Sequence, residues 1–592
     1  MNSKILSRYL LFIAGFLFQS QANAQMYVGP STYVFVNNQY VYITKELELN
    51  AASSNFYLRK EGQLLQGSVG ALANKNKGLG KLSVFQEGSA NEYQYNYWSS
   101  PVGNASATLG NESFGISMFN RPTGLTSSTT AITTSLTGYN GVSSPLKIEP
   151  YWIWKFLSSS VYSDWVHASA ASTIAPGEGF TMKGTSGTDT ALAEGGTVQN
   201  NPDGKHQRYD FRGKPNDGDI TINVATNKFT LTGNPYPSAI DLNAFLQNGI
   251  NISCTGIAYF WEHDKTVNSH YLADYKGGYG SYTPLGENYV PAVFYTYDGA
   301  GGIVTGTTSP GIYYKRRYSP IGQGFMIKGA SNGTVQMKNS YRVFVKENAT
   351  NSQFEKQADT KNSAAAAFLP QIRFNTFINN VVTSQLLLIF HPESTDGIDR
   401  AMDAESPNNG PANVYFVIDN KEFVIDVVPF SIDKKIAIGF RNTAQANYKI
   451  TVNQILELPD VQNVYLHDKI TNNYYDIKNS FYDLTLPAGV NNGQYEITFK
   501  NGTLNVADLI SQSFVVYQNN SSKNLMIDNP KQMELATCGL YDIAGKLIFI
   551  KKQLGTGLSY KFPTSNLSDG VYIVKLTTKD ETDIGQKIII KN

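Results

Sequence analysis

Pro176-Gly177-Glu178-Gly179-Phe180-Thr181-Met182-Lys183-Gly184 and Ile321-Gly322-Gln323-Gly324-Phe325-Met326-Ile327-Lys328-Gly329 share one frame, Gly-x-Gly-Phe-x-x-Lys-Gly. Upstream of each lies an aromatic strand, Tyr151-Trp152-Ile153-Trp154 in one case and Tyr259-Phe260-Trp261 in the other. Further upstream a strand runs into proline, as Tyr95-Asn96-Tyr97-Trp98-Ser99-Ser100-Pro101 and as Phe229-Thr230-Leu231-Thr232-Gly233-Asn234-Pro235. The order of elements is kept while the loops differ in length, which points to two diverged β-units. In both copies the glycine before the phenylalanine is expected to turn the chain at positive φ.

Alternation of apolar and polar residues extends well beyond these motifs, and long 3.6-residue periods are nearly absent. Tyr33-Val34-Phe35-Val36, Tyr40-Val41-Tyr42-Ile43 and Phe56-Tyr57-Leu58 read as short strands between Asn, Gly and Lys. One short helix is expected over 237–246, capped by Ser238 or Asp241. Composition agrees: 51 Gly, 37 Tyr and 31 Phe with only 16% charged residues favour strands and tight turns. The 48 Lys and Arg against 47 Asp and Glu leave a net charge of +1, so no global field draws nucleic acid. Two cysteines exclude a disulfide scaffold and any Cys-based metal cluster, and Cys254 and Cys538 read as small buried hydrophobes.

Lys4 and Arg8 precede the apolar run over 10–18, and Ala22-Asn23-Ala24 supplies a small-x-small cleavage site. The run is too short to span a bilayer, so a cleaved secretory leader is expected over 1–24, with Gln25 first in the mature chain. Polar residues and four alanines make 346–367 a linker. The expected organisation is a duplicated β-rich region over 25–345, with units at about 90–190 and 225–340, then a β-sandwich of about seven strands over 368–505, and a last unit over 513–592. The fold class is therefore all-β, built of several sandwiches and ending in a small Ig-like one.

The last unit contains Tyr541-Asp542 with Gly545-Lys546-Leu547, then Leu567 with Gly570-Val571-Tyr572, and ends in Lys587-Ile588-Ile589. These motifs, in this order, resemble the type A C-terminal sorting domain of proteins exported by the type IX (Por) secretion system of Bacteroidetes-type bacteria. The sorting signal would then comprise Tyr541, Asp542, Gly545, Lys546, Gly570, Tyr572 and Lys587. One departure stands at Tyr517-Gln518-Asn519-Asn520, where the family has Tyr-Pro-Asn-Pro, so the first turn must form without proline. Tyr97-Trp98-Ser99-Ser100-Pro101-Val102, 233–238 and 395–400 also resemble elements of surface proteins from gliding or adhering bacteria. The resemblance implies passage through periplasm and outer membrane to the cell surface or medium. It implies as partners the outer-membrane type IX translocon and its β-barrel shuttle protein, and at the surface glycans or other adhesins.

Residues that carry chemistry are sparse. Gly329-Ala330-Ser331-Asn332-Gly333 has the spacing of a nucleophile elbow, but the alternating Thr334-Val335-Gln336-Met337 after it reads as a strand where an elbow needs a helix. Glu262 and Asp264 share one face of a strand end, where solvation of that end is the expected role and contact with a sugar the alternative; they do not flank a bond from opposite sides as a glycosidase pair does. Asp396, Asp399 and Asp403 are candidate Ca²⁺ ligands outside any EF-hand spacing, and no other cofactor is expected. Trp152 and Trp154, two residues apart on an expected strand, share a face, and packing between sheets is the first expectation for such rings; a glycan platform of Trp152, Trp154 and Trp261 is the alternative. No catalytic constellation emerges. The expected function is a non-catalytic secreted or surface-displayed protein, adhesive, structural or gliding-associated, with an extracellular carbohydrate-binding protein as the alternative.

Overall fold

The structure is a computed structural model describing residues 25–135, 137–311, 313–348, 352, 369–407, 410–501, 513–543 and 545–592. The expected leader and most of the expected linker lie outside these residues. Strands dominate, and the α-helix among the described residues is Leu242–Gln247, with the Asp241 carboxylate accepting from the Asn243 N–H at 3.0 Å. The helix starts later than expected because Ala239–Asp241 is taken up as a strand between Tyr318–Ser319 and Arg342–Val343.

The N-terminal strands do not form hairpins. Met26–Val28 pairs in parallel with Leu47–Leu49, Tyr33–Asn37 with Asn55–Arg59, and Tyr40–Ile43 with Gln63–Gln66. Two coils of a small solenoid are thereby stacked, with the buried Val28, Val36 and Ile43 lying over Leu49, Leu58 and Gln66. Asn55–Arg59 then pairs in parallel with Lys81–Glu87, which joins the solenoid to a seven-stranded sheet. Alternation identifies such strands but not their partners, since parallel and antiparallel ladders share the same period.

Strand Tyr95–Ser99 pairs antiparallel with Gly179–Lys183, placing Gly179 opposite Ser99, Phe180 opposite Trp98 and Lys183 opposite Tyr95. Strand Phe229–Gly233 pairs with Gly324–Gly329, placing Gly324 opposite Gly233, Phe325 opposite Thr232 and Lys328 opposite Phe229. Motif residue for motif residue, the two pairings have the same register. The pairs also exchange contacts: Trp98 bridges to Gln323 while Thr232 bridges to Glu178. Ser99 N–H donates to the Gly322 carbonyl at 2.9 Å, and the Thr232 hydroxyl donates to the Gly177 carbonyl at 2.7 Å. Reciprocal contacts of this kind are those of a two-fold, isologous junction.

Positive φ falls elsewhere than expected, at the first glycine of each motif: +81° at Gly177 and +78° at Gly322. Gly179 and Gly324 are required for space instead. A Cβ on Gly179 would lie 2.6 Å from the Thr232 carbonyl oxygen, and one on Gly324 would lie 2.7 Å from the Tyr97 carbonyl carbon. The apolar faces of the two motifs feed separate cores, Trp98, Phe119, Phe180 and Phe211 in one, Phe245, Phe260, Phe325 and Val335 in the other.

From Gln371–Ile378 to Gly489–Thr498 the chain forms one hydrogen-bonded sheet of eleven strands, more than the seven expected. Its layers face each other: Phe440 and Tyr448, on strands that are not neighbours in the sheet, have ring centroids 4.9 Å apart. Its outermost strands, Asn473–Asp476 and Tyr482–Leu486, meet where Tyr475 stacks on Tyr482 at 3.6 Å, so the sandwich is nearly a closed barrel. The core of this unit continues without a break into Tyr97, Tyr259 and Met326 of the preceding region. Cys254 and Cys538 are both buried thiols in different units.

Candidate functional site

In strand Cys254–His263, Phe260 faces the core beside Phe325, so period 2 turns Tyr259 and Trp261 to the opposite face of the sheet. Trp261 stands opposite Tyr279 of strand Lys276–Thr283, and Tyr259 opposite Ser281. Val293, Tyr295 and Tyr297 continue the same face on the next strand. Gly277 is small for a reason: a Cβ there would lie 2.6 Å from Trp261 Cζ2, so glycine lets the indole lie against the sheet. The outer face is therefore nearly as aromatic as the core face. It forms one wall of a cleft of about 510 Å³.

A second wall comes from the first motif-bearing unit. Tyr95 and Tyr97 project from their strand, and Tyr97 lies parallel to Trp261 with centroids 6.4 Å apart and donates to or accepts from Tyr279 Oη at 2.7 Å. Trp152, Trp154 and Trp165 complete this wall. The expected strand over 151–154 is in fact a 3-10 turn, Pro150–Trp152, running into Trp154–Lys155. Proline at the start of the turn and the Glu149 carboxylate accepting from Tyr151 N–H at 3.0 Å fix it. Both tryptophans still reach the cleft, half-buried, while Ile153 enters the core. Trp98 is fully buried elsewhere.

Trp152 is held on three sides. Its Nε1 donates to the Tyr139 carbonyl at 2.8 Å, its ring stacks on His270 at 4.9 Å, and Lys183 Nζ lies 3.5 Å from its ring centroid. Lys183 Nζ is also 3.1 Å from His270 Nδ1. Burial pushes the Lys183 ammonium down to about 6, and burial together with the Lys183 charge pushes His270 down to about 4. The third wall belongs to the eleven-stranded unit, where Ser384, Gln385, Ser406 and Asn413 set polar groups beside Pro407 and Val424. Among the described lining residues there is no Asp, Glu, Lys or Arg.

The other sequence candidates lie apart from the cleft. Glu262 is buried on the core side, where its Oε1 accepts from the Tyr289 hydroxyl, so it does not share an exposed face with Asp264. Gly329–Gly333 is the turn between strands Gly324–Gly329 and Gly333–Met337. Asp396 pairs with Lys434, and Asp399 accepts from Thr395 N–H at 2.6 Å. Asp403 accepts from the N–H groups of Asp399 (2.6 Å) and Val427 (2.7 Å). These carboxylates are occupied by the chain itself, and among the described residues no three His, Cys, Asp or Glu side chains group to hold a metal. Burial, reinforced by neighbouring carboxylates, pushes Asp403 up to about 8 and Asp426 up to about 7.

In the last unit two sheets enclose a core of their own around Leu525, Ile527, Leu540, Val574 and Ile588. Gly545 takes φ +74° in the turn after Asp542, whose Oδ1 accepts from Lys546 N–H at 2.9 Å. Tyr572 is buried and its hydroxyl donates to the Ser568 carbonyl at 2.9 Å; Gly570 opens its strand. The proline-free first turn forms because the Asn519 side chain accepts from Ser522 N–H at 3.0 Å. Three of the motif residues touch the preceding unit. Tyr541 packs on Phe481 at 5.3 Å, the Gly545 carbonyl accepts from Lys449 Nζ at 3.0 Å, and Lys587 Nζ donates to the Val452 carbonyl.

The family described as Domain of unknown function (DUF8693) matches residues 125–499, and the Secretion system C-terminal sorting domain matches residues 515–591. No curated protein matches the chain. Among solved structures, a polysaccharide lyase is similar at 9% identity over 38% of this chain and 40% of that one, with a TM-score of 0.16. This chain thus spans 40% of the lyase. Tp47, the 47-kilodalton lipoprotein of Treponema pallidum, is similar at 11% identity over 62% of this chain and 91% of its own, with a TM-score of 0.12. The BSP domain of a biofilm associated protein is similar at 9% identity over 86% and 98%, with a TM-score of 0.12. At such scores none of the three bears on fold or activity.

Proposed function

Because the chain belongs to the family described as Domain of unknown function (DUF8693), and ends in the sorting domain of a type IX cargo protein, we propose that its exported body binds extracellular carbohydrate without altering it. The sorting domain directs export through the type IX system to the cell surface or the extracellular space and implies contact with that machinery. The observation that carries the rest is the aromatic cleft. Four tryptophans and several tyrosines are set as flat apolar walls against a third wall that carries amide and hydroxyl groups beside Pro407 and Val424. Sugar rings present that pairing, with C–H faces for stacking and hydroxyls at their edges. The matched region 125–499 contains every lining residue except Tyr95 and Tyr97, so the cleft lies almost wholly within the family's own domain. Its volume lies within the range of about 300–1,000 Å³ typical of ligand sites. Displayed at the surface, such a site makes the protein an adhesin.

The test is a glycan array probed with the mature protein, followed by calorimetry on the glycans retained. Trp152→Ala and Trp261→Ala should each weaken binding at least about tenfold, roughly 1.4 kcal/mol, while Tyr27→Ala, at an exposed ring far from the cleft in sequence, should not. Retention of binding by both tryptophan variants would overturn the assignment of the site.

A further inference from the structure

Resting on the reading of the cleft as a carbohydrate site, we infer that its ligand is a neutral glycan, excluding sugars that carry carboxylate or sulfate groups. None of the described lining residues is an Asp, Glu, Lys or Arg, and the lining histidine, His270, is neutral near pH 7. The ionisable groups that border the lining are engaged by the chain or sealed off. Asp164 accepts from the N–H groups of Ser160 (2.9 Å) and Val161 (3.1 Å). Glu422 is bound by Arg441 Nε at 2.6 Å and by Asn413 Nδ2 at 2.7 Å. Lys183 sits behind the Trp152 ring and is 4% exposed. A carboxylate or sulfate entering the cleft would lose hydration and gain no counter-ion, which is the costly case.

The second observation is independent and argues against a purely apolar occupant. Trp261 Nε1 and Ser281 Oγ are buried lining atoms without a hydrogen-bond partner among the described residues. They share one sheet face, since Trp261 pairs with Tyr279 and Tyr259 with Ser281. Buried donors left unmet are rare in folded proteins and ask for a partner. An alkyl chain leaves them unmet. Both atoms are closed to solvent, so a pyranose brings hydroxyl and ring oxygens to them as the lining side chains shift aside, while its apolar face rests on Tyr97 or Trp261. Only an occupant with acceptor oxygens and no charge satisfies both observations.

Matched pairs of soluble oligosaccharides, neutral and uronate or neutral and sulfated, titrated calorimetrically into the mature protein at pH 7.5 decide the matter, with an alkyl-chain probe alongside. The neutral member should bind at least tenfold more tightly than its charged partner, with an affinity unchanged by added salt. Ser281→Ala should weaken neutral binding several-fold while leaving the melting temperature of the free protein unchanged or raised, since it removes an unmet hydroxyl. Charged members binding as tightly as neutral ones, in a manner lost with Trp152→Ala, would overturn the inference and leave the cleft as a carbohydrate site. Binding of the alkyl probe alone would overturn both.

Discussion

Gly324→Ala places a methyl group against the backbone of the other motif-bearing unit, and its cost follows from the junction. The new Cβ would lie 2.7 Å from the Tyr97 carbonyl carbon and 2.8 Å from Trp98 N. Ordinary contact needs about 3.4 Å or more, so the two strands must part by roughly 0.7 Å, and neither neighbour is a flexible side-chain end. Overpacking of this kind costs about 1–3 kcal/mol. The junction's hydrogen bonds, Ser99 N–H to Gly322 O at 2.9 Å and the Thr232 hydroxyl to Gly177 O at 2.7 Å, add about 1 kcal/mol each if they lengthen. With both bonds lengthened the total is about 3–5 kcal/mol. Gly322→Ala is the internal comparison. Its φ of +78° costs about 1–2 kcal/mol, but the nearest atom to its Cβ is 3.4 Å away, so packing adds little. Gly322→Asn should cost less still, because Asn tolerates that region. Thermal unfolding of mature protein would read the series, at about 2–4 °C per kcal/mol for a unit of this size. Gly324→Ala melting within a degree of wild type, or above Gly322→Ala, would refute the packed two-fold junction.

Two further predictions concern the rest of the chain. Asp426, buried with its pKa raised to about 7 against roughly 3.9 unfolded, binds its proton more tightly when folded. Its contribution is intact below about pH 4 and lost as pH rises through 7, so the melting temperature should fall over that window and fall less in Asp426→Asn, as a pH series of melts would record. Deleting 513–592 should leave the body folded yet retained in the periplasm, although Phe481 and Lys449 lose the sorting domain they contact. Truncated protein recovered outside the cell by fractionation would contradict the sorting role.

How far the sequence could be read depends on whether a feature is local. The all-β class follows from alternation, and the type IX address from motifs within the last 80 or so residues; both depend on near neighbours in the chain. The shared register at 95–99 with 179–183 and at 229–233 with 324–329 is anticipated by matching motifs, because like sequences pair alike. The parallel coils at 26–66 are not anticipated, since Tyr33-Val34-Phe35-Val36 alternates identically whichever partner it takes. The glycine assignment failed for a related reason. Which glycine of Gly-x-Gly-Phe needs positive φ and which needs empty space is decided by a strand of the other unit, far away in sequence.

The cleft marks the limit most clearly. Two-residue spacing sorts Tyr259, Phe260 and Trp261 onto two faces, and it brings Trp152 and Trp154 to the same site even though the turn Pro150–Trp152 replaces the strand that reasoning assumed. It gives no indication of what each face meets. Phe260 and Trp261 are adjacent, equally aromatic, and differ only in that one face closed on a core within its own unit. The other face was left to a sandwich that begins more than a hundred residues later, at Gln371. That sandwich contributes Ser384, Gln385 and Asn413, polar residues unremarkable in their own stretch of chain. Had it contributed leucines, the same tryptophans would be core. The proposed binding site therefore depends on the pairing of an aromatic face with a polar one, and a substitution on the polar side, Asn413→Leu, should weaken glycan binding in calorimetry at least about tenfold, as loss of a tryptophan does.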